Sequence, residues 1–326
     1  MFCVFCYGNE EKACAESDVK ALTSTILANM EVKLMNVKLT NEFYQLTVAT
    51  KGAEMQSLID QHSGVEYLWQ ADPQVWGRHA PNLFPIVGKL KDDQYTYQGK
   101  TYHMTQHGFA RDLEFTLERE TDHSLTFLLT DNDETRAKYP FAFEFRVKYS
   151  LINRLLNVTY YVNNPSSTEP LIFGVGGHPG FRLPVESGVD FADYFLRFKP
   201  SKSRIQIPLT TTGVDYAHRT LAPTDVDWQI NHDVFKDDAL IFQLAGTNEV
   251  EIRSDKTKHS INLKTKDAPF VGVWSAYPQT GDYVCIEPWW GIADLTDSNG
   301  ELTDKFGMNT LAPQENFKAK YQISFS

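Results

Sequence analysis

The sequence predicts an all-β protein, built as one large antiparallel sandwich with a few short helices. Short runs rich in β-branched and aromatic residues recur from about residue 36 to the C-terminus, separated by turn residues. Long amphipathic helical repeats are absent, and helix is expected only around residues 72–76 and 134–138. Many antiparallel strands in one continuous stretch are typical of a large sandwich.

Nine segments carry the strand prediction. Residues 143–149 alternate apolar and polar side chains, as a half-buried antiparallel strand requires. Asn153-Arg154 and the run Tyr97-Gln-Gly-Lys-Thr-Tyr indicate tight hairpin turns. The expected strands cover residues 44–50, 113–118, 124–129, 143–151, 155–162, 239–243, 250–253, 260–265 and 283–287.

Length and charge narrow the possible partners. A chain of 326 residues allows one large domain or two ordinary ones. The formal net charge of −11 and the pI near 5.3 disfavour nucleic acid and anionic membranes as partners. Neither an apolar run of about 18 residues nor a secretory leader is recognisable, so we expect a cytoplasmic protein. The aromatic content of 13% suits a large core or the stacking of sugar rings.

The four cysteines do not form a disulfide framework, because Cys3, Cys6 and Cys14 lie near one end and Cys285 near the other. The pair Cys3-x-x-Cys6 can bind zinc or perform redox chemistry, but no second Cys or His pair follows at zinc-finger spacing. We therefore expect no bound metal and a reducing compartment.

The first thirty residues differ in composition from the rest and are weakly patterned. One hypothesis is that residues 1–30 are an N-terminal extension outside the core fold, and that residues 31–326 form a single domain. The alternative is a short surface helix around residues 17–29.

Four segments break the strand pattern with residues that a core does not need: 78–89, 106–111, 174–182 and 285–291. In the third, His178 follows two glycines and precedes a proline, and a histidine there suits proton transfer as well as turn capping. In the fourth, Glu287 ends an apolar strand beside Trp289 and Trp290. Burial raises the pKa of a carboxyl and makes it a better base once ionised. The indoles could form a sugar platform.

The second segment brings an imidazole and a cation together, at His107 and Arg111. The guanidinium suits vicinal hydroxyls or an anionic group, although a surface ion pair would use it equally well. His103 and His107 share a spacing that places two metal ligands together only on a helix, and their surroundings indicate a hairpin instead. No nucleotide-binding motif is present, so we expect no cofactor.

In order and spacing, HGFAR at 107–111, GGHPGF at 176–181 and EPWWG at 287–291 resemble the aldose 1-epimerase family. The similarity runs from about residue 37 to residue 326 and is closest to the bacterial branch encoded beside lactose-utilisation genes. It implies a galactose mutarotase-like β-supersandwich with a sugar cleft across one sheet.

The resemblance also implies roles for individual residues. Glu287 matches the general base of the family and His178 its general acid, while His107 matches a second histidine that hydrogen-bonds the sugar. Arg78 and Arg111 resemble arginines of the cleft. Asp238 resembles a substrate-binding aspartate, although Asp237 is adjacent. Trp289 is expected to contact the sugar. A Gly-Val-Gly-Gly run replaces the Asn-rich segment of the galactose branch, which leaves the sugar preference open.

The expected function is therefore the interconversion of the α and β anomers of a free hexose. Two alternatives remain at this point: a hexose-6-phosphate 1-epimerase, in which Arg78, Lys89, Lys91 and Arg111 hold the phosphate, and a non-catalytic sugar-binding protein on the same fold. The oligomeric state is left open by the sequence.

Overall fold

The computed structural model describes residues 35–326, and this part of the chain contains 26 β-strands, one α-helix and five short 3₁₀ helices. The first half of the strands runs as follows: β1 Asn36–Thr40, β2 Tyr44–Ala49, β3 Met55–Asp60, β4 Asn82–Leu83, β5 Gln94–Tyr97, β6 Lys100–His103, β7 Thr116–Thr121, β8 Ser124–Thr130, β9 Glu144–Ile152, β10 Leu155–Asn163, β11 Leu171–Phe173, β12 Val175–Gly177 and β13 Gly180–Arg182.

The second half of the strands continues to the C-terminus: β14 Tyr194–Lys199, β15 Arg204–Ile207, β16 Leu209–Thr210, β17 Gly213–Val214, β18 Thr220–Ala222, β19 Trp228–Gln229, β20 Leu240–Gln243, β21 Asn248–Ser254, β22 Ile261–Thr265, β23 Phe270–Trp274, β24 Tyr283–Trp290, β25 Asn309–Leu311 and β26 Asn316–Phe325. The helix α1 spans Asp133–Lys138, and the 3₁₀ helices span Lys91–Asp93, Ala110–Asp112, Phe191–Asp193, His232–Phe235 and Leu302–Asp304.

Two large antiparallel sheets form the body of the fold. The nine-stranded sheet has the order β19-β14-β21-β22-β26-β10-β9-β8-β7. The eight-stranded sheet has the order β18-β15-β20-β23-β24-β12-β4, with β13 also paired to β24. The largest apolar cluster contains side chains of both sheets, and the rings of Tyr160 and Trp290 meet across it at 6.4 Å. The two sheets are therefore stacked around one core, which confirms the predicted all-β sandwich.

Alternation along β24 creates two different faces. Val284, Ile286 and Trp290 point into the core between the sheets. The intervening residues point to the other face, where Cys285 joins one small apolar cluster and Trp289 joins another. Because side chains alternate along a strand, Glu287 lies on this second face between the two clusters.

A buried polar network ties the two sheets together. The amide nitrogen of Asn82 on β4 donates to the carbonyls of Gly52 and Ala53, each at 2.9 Å. Its oxygen accepts from the hydroxyl of Tyr160 at 2.9 Å, and the hydroxyl of Tyr149 donates to Ala53 at 2.7 Å. Since an unpaired buried polar group is costly, this network fixes β4 against the nine-stranded sheet.

Most local predictions agree with the structure. The hairpin turns at 98–99 and 153–154 are present, with a positive φ at Gln98, Gly99 and Asn153. The helix expected at 134–138 is α1, capped by the side chain of Asn132.

A predicted helix and the start of a predicted strand differ from the structure. Residues 72–76 form a single turn, closed by the amides of Val75 and Trp76 on the carbonyl of Asp72, and not a helix. The strand predicted at 113–118 begins only at residue 116, because the backbone just before it pairs elsewhere: Gly52 donates to the carbonyl of Leu113, and Phe115 donates to that of Thr50.

Residues 1–30, predicted to be an extension, lie outside the described residues. Within residues 35–326, no helix has the length and apolar character needed to cross a membrane.

Candidate functional site

Sheet pairing brings His178 and Glu287 together. The strand β12 pairs with the end of β24 at Trp289 and Trp290, and β13 pairs with its beginning from Tyr283 to Cys285. His178 lies in the short connection between β12 and β13. This connection passes the middle of β24, where Glu287 lies. The amide of His178 donates to the carbonyl of Pro81 at 3.1 Å, which fixes the backbone of the histidine.

The two side chains meet directly. His178 Nε2 lies 3.2 Å from Glu287 Oε2, and the two residues are only 7% and 2% exposed. The sequence predicted that Glu287 ends its strand, which is wrong: β24 continues to Trp290, so the carboxylate is enclosed by neighbours on both sides.

Burial acts on both groups in opposite directions. It raises the pKa of Glu287 well above its ordinary value, and the negative charge of Asp238 raises this pKa further. Burial lowers the pKa of His178 to about 3. Desolvation disfavours the charged form of each group, so the pair consists of a protonated carboxyl at Glu287 and a neutral imidazole at His178.

Several polar atoms at this place have no hydrogen-bond partner within the described chain. Buried polar groups are nearly always paired, so a group of unpaired ones indicates a place where a ligand or water is bound. The unpaired buried atoms are His178 Nδ1, Glu287 Oε2, Trp289 Nε1 and Arg111 Nε.

The ring of His107 contacts His178 edge-on, with centroids 5.4 Å apart. Its Nδ1 accepts the backbone N–H of Gly88 at 3.1 Å, and its own amide donates back to the carbonyl of Gly88. Burial lowers the pKa of His107 well below the ordinary value, so the ring is neutral. With Nδ1 accepting, the proton must be on Nε2, and this nitrogen is a hydrogen-bond donor.

The two predicted arginines lie on one side of the pair. Arg78 forms an ion pair with Asp112 at 2.8 Å, and Arg111 donates to the carbonyl of Gln106 at 2.6 Å. Burial and the charge of Arg78 lower the pKa of Arg111 to about 10, and both arginines lower the pKa of His178. They therefore make this side of the site electropositive.

Asp238 approaches the site from the loop before β20. Its side chain is exposed, and its charge acts on Glu287. Its backbone has a positive φ of 78°, which turns the chain at this residue. Of the two adjacent aspartates that the sequence left open, Asp238 is the one whose charge acts on Glu287.

Trp289 is the neighbour of Glu287 on the same face of β24. It is 5% exposed, and its ring covers Gly272, where a Cβ would approach the ring within 2.6 Å. The ring is therefore part of the floor of the site, and its indole N–H is one of the buried polar atoms without a partner within the described residues. Contact with a sugar stays a prediction for this residue.

Sequence reasoning missed an aromatic wall around His178. Trp76 stacks on the imidazole with centroids 5.0 Å apart, and Trp274 contacts it edge-on at 5.6 Å. Trp76 also stacks on Tyr283 at 5.3 Å. The available signal was the position of Trp76 two residues before Arg78, at the edge of a segment already singled out. Cys285, which lies beside Glu287 in this wall, begins the fourth segment but was assigned no role, because a thiol at a buried position of a strand is an ordinary core residue.

Stacked antiparallel sheets with this site on one face define a galactose mutarotase-like β-sandwich. The galactose mutarotase related enzyme from Lactobacillus acidophilus is 52% identical, with a TM-score of 0.88 over 90% of this chain and 97% of that one. A galactose mutarotase-like protein from Lactobacillus casei is 30% identical, with a TM-score of 0.79 over 90% of this chain and 100% of that one.

The aldose 1-epimerase family model matches residues 35–324, and the chain belongs to this family. Its curated relatives include the plasmid and chromosomal LacX proteins of Lactococcus lactis subsp. lactis. Each is 30% identical over 298 residues, which cover 89% of this chain and 99% of the relative.

Proposed function

We propose that this protein is an aldose 1-epimerase, which interconverts the α and β anomers of a free hexose by opening and closing the ring. The observation that carries the proposal is the 3.2 Å approach of His178 Nε2 to Glu287 Oε2 among buried polar atoms that lack protein partners. Membership of the aldose 1-epimerase family supports it.

In this mechanism Glu287 removes the proton from the anomeric hydroxyl while His178 protonates the ring oxygen. The bond between C1 and the ring oxygen breaks, and the free aldehyde forms. Rotation about the C1–C2 bond presents the other face of the aldehyde, and the two proton transfers then run in reverse. Each positioned acid or base typically contributes about 10²–10⁴-fold to the rate.

The proton inventory of the pair agrees with this scheme. A neutral His178 beside a protonated Glu287 holds as many protons as an imidazolium beside a carboxylate. One transfer across 3.2 Å interconverts the two forms without exchange with solvent. The charged form starts ring opening, and the neutral form is left beside the open-chain sugar, where burial favours it.

The surrounding groups support binding of the sugar. Nε2–H of His107 donates toward an oxygen near the ring, because Nδ1 is already occupied by Gly88. Arg111 and Asp238 offer a donor and an acceptor for the remaining hydroxyls.

Polarimetry of freshly dissolved α-glucose and α-galactose tests the proposal. Glu287→Gln and His178→Asn are each expected to lower the rate at least about 100-fold, because neither amide exchanges the required proton. Circular dichroism spectra matched to the wild type are the control for folding. A rate within about threefold of the wild type in either variant contradicts the assigned roles.

A hexose 6-phosphate is the second candidate substrate, favoured by the convergence of Arg78 and Arg111 beside the histidines. The ion pair of Arg78 with Asp112 opposes it, since that carboxylate already neutralises one of the two cations. Mutarotation rates on glucose and glucose 6-phosphate, measured side by side, separate the two. A kcat/KM at least about tenfold higher on the phosphate selects the second candidate.

A further inference from the structure

Three potential metal ligands lie together in the floor of the site. One ligand atom each from His178, Cys285 and Glu287 lies within 4.8 Å of the other two. Cys285 and Glu287 are two residues apart on β24 and share a face, while His178 crosses above them. The cluster therefore follows from sheet register and not from a chance surface arrangement.

The distances suit a small, thiophilic cation. Tetrahedral zinc has Zn–N and Zn–O bonds of about 2.0–2.2 Å, which place those two ligand atoms about 3.3 Å apart. His178 Nε2 and Glu287 Oε2 are 3.2 Å apart. The longer Zn–S bond of about 2.3 Å permits a wider separation from sulfur, and the ligand atom of Cys285 lies within 4.8 Å of the other two.

The three groups are also free to bind. Cys285 is a free thiol, and Glu287 Oε2 accepts no hydrogen bond within the described residues. His178 Nε2 faces Glu287 Oε2 at 3.2 Å, so the two ligand atoms border the same space. A thiolate and a carboxylate together balance the charge of a divalent cation, and the negative charge of Asp238 adds to the attraction.

From this geometry we propose that His178, Cys285 and Glu287 form a three-ligand site for Zn²⁺. Bound Zn²⁺ blocks the sugar site. The fourth coordination position is left to water. Zinc binding displaces the proton of the thiol and the proton held by the histidine–glutamate pair, so both are released to solvent. The same two residues then cannot exchange protons with a sugar, and zinc must inhibit.

Cys285 gives the decisive variant, because no step of ring opening uses it. The background protein carries Cys3→Ser, Cys6→Ser and Cys14→Ser in the full chain, so that Cys285 is its only thiol. Cys285→Ala then removes the sulfur. Val284→Ala is the matched control, since it shortens the neighbouring side chain of β24 on the opposite face.

Zn²⁺ binding to these proteins is measured by calorimetry, and Co²⁺ is used as an optical probe of thiolate ligation. We expect one Zn²⁺ per chain and a thiolate-to-cobalt charge-transfer band. Cys285→Ala should weaken Zn²⁺ at least tenfold and abolish the band, while Val284→Ala should change neither. Equal Zn²⁺ affinity with and without Cys285, or no binding at millimolar Zn²⁺, overturns the site.

Inhibition is tested separately by polarimetry, with metal-free protein as the reference. Zn²⁺ should inhibit mutarotation at the concentration at which it binds, and Cys285→Ala should need at least tenfold more. Mutarotation that persists in the zinc-loaded protein overturns the block of the sugar site. Only the inhibition experiment rests on the proposed function. If the metal-free protein shows no mutarotation, the proposed function is refuted, and the binding measurements still test the zinc site.

Discussion

At the scale of single residues, Glu287 carries a conflict between stability and chemistry. A carboxyl at 2% exposure beside Trp289 and Cys285 is costly to ionise, and its pKa is raised for that reason. Proton abstraction nevertheless requires the ionised form. Such conflicts are typical of functional sites, because packing alone would place an apolar side chain there.

This conflict predicts a pH-dependent gain of stability in Glu287→Gln. Above pH 4.5 the carboxyl loses its proton in the unfolded chain, whereas the folded protein retains it up to the raised pKa. The contribution of Glu287 to the free energy of unfolding therefore falls with pH, by at most about 1.4 kcal/mol per pH unit for one proton. The amide does not ionise, so the stability of the variant relative to the wild type should increase as pH rises above 4.5. Below pH 4.5 the free energies of unfolding of the two proteins should change with pH in parallel.

Urea unfolding at several pH values between 4 and 8 measures this difference. Glu114→Gln, an exposed carboxyl, is the control and should show a difference that does not change with pH. A constant difference for Glu287→Gln as well would mean that Glu287 is ionised in the folded protein at low pH.

At the scale of elements, the site depends on where short strands are held. Asn82 on β4 pairs with Gly177 on β12, directly before His178. A Cβ on Gly177 would lie 2.7 Å from the hydroxyl of Tyr321 and 2.9 Å from that of Tyr160, so only glycine allows this close approach. The histidine is therefore positioned by the polar network beneath it.

Asn82→Leu should destabilise the protein by about 3 kcal/mol, because it leaves buried carbonyls and a tyrosine hydroxyl without partners. The shift in urea midpoint measures this cost. Asn316→Leu, at an exposed position at the start of β26, is the matched control and should change stability by less than about 0.5 kcal/mol. If Asn82→Leu lowers stability no more than this control does, the polar network does not position His178.

The loop that carries His107 has a similar constraint. His107 and Gly108 both have a positive φ, at 67° and 71°, and a Cβ on Gly108 would lie 2.3 Å from the carbonyl oxygen of Phe84. A non-glycine residue in the left-handed region is strained, and such strain is concentrated at functional sites. The exchange of two hydrogen bonds with Gly88 holds His107 in this conformation.

At the scale of the whole molecule, we propose that residues 36–326 are sufficient for the fold. Both large sheets and the site lie within these residues, and the family match begins at residue 35. A chain that starts at Met35 should keep the thermal midpoint and the mutarotation rate of the full-length protein within experimental error.

Differential scanning calorimetry and polarimetry of the two chains, at equal concentration, make this comparison. A truncated chain that fails to fold refutes the idea that residues 1–30 lie outside the core. A truncated chain that folds but loses mutarotation would instead place part of the site in that segment.

The sequence by itself determined the elements whose signal is local. Alternation with period two identified β9, and the turn residues Asn153-Arg154 located its hairpin with β10. The motifs around His107, His178 and Glu287 singled out the segments that meet in the site. These features depend on neighbours in sequence, which are visible in one chain.

Only the tertiary structure decided how remote residues meet. The pairing of β12 and β13 with the two ends of β24 sets the 3.2 Å between His178 and Glu287, and no local pattern encodes that register. The same packing places Trp76 over the imidazole and Cys285 beside the carboxylate. Burial, which shifts both pKa values, is a property of the assembled sheets, because desolvation requires atoms contributed by many distant segments.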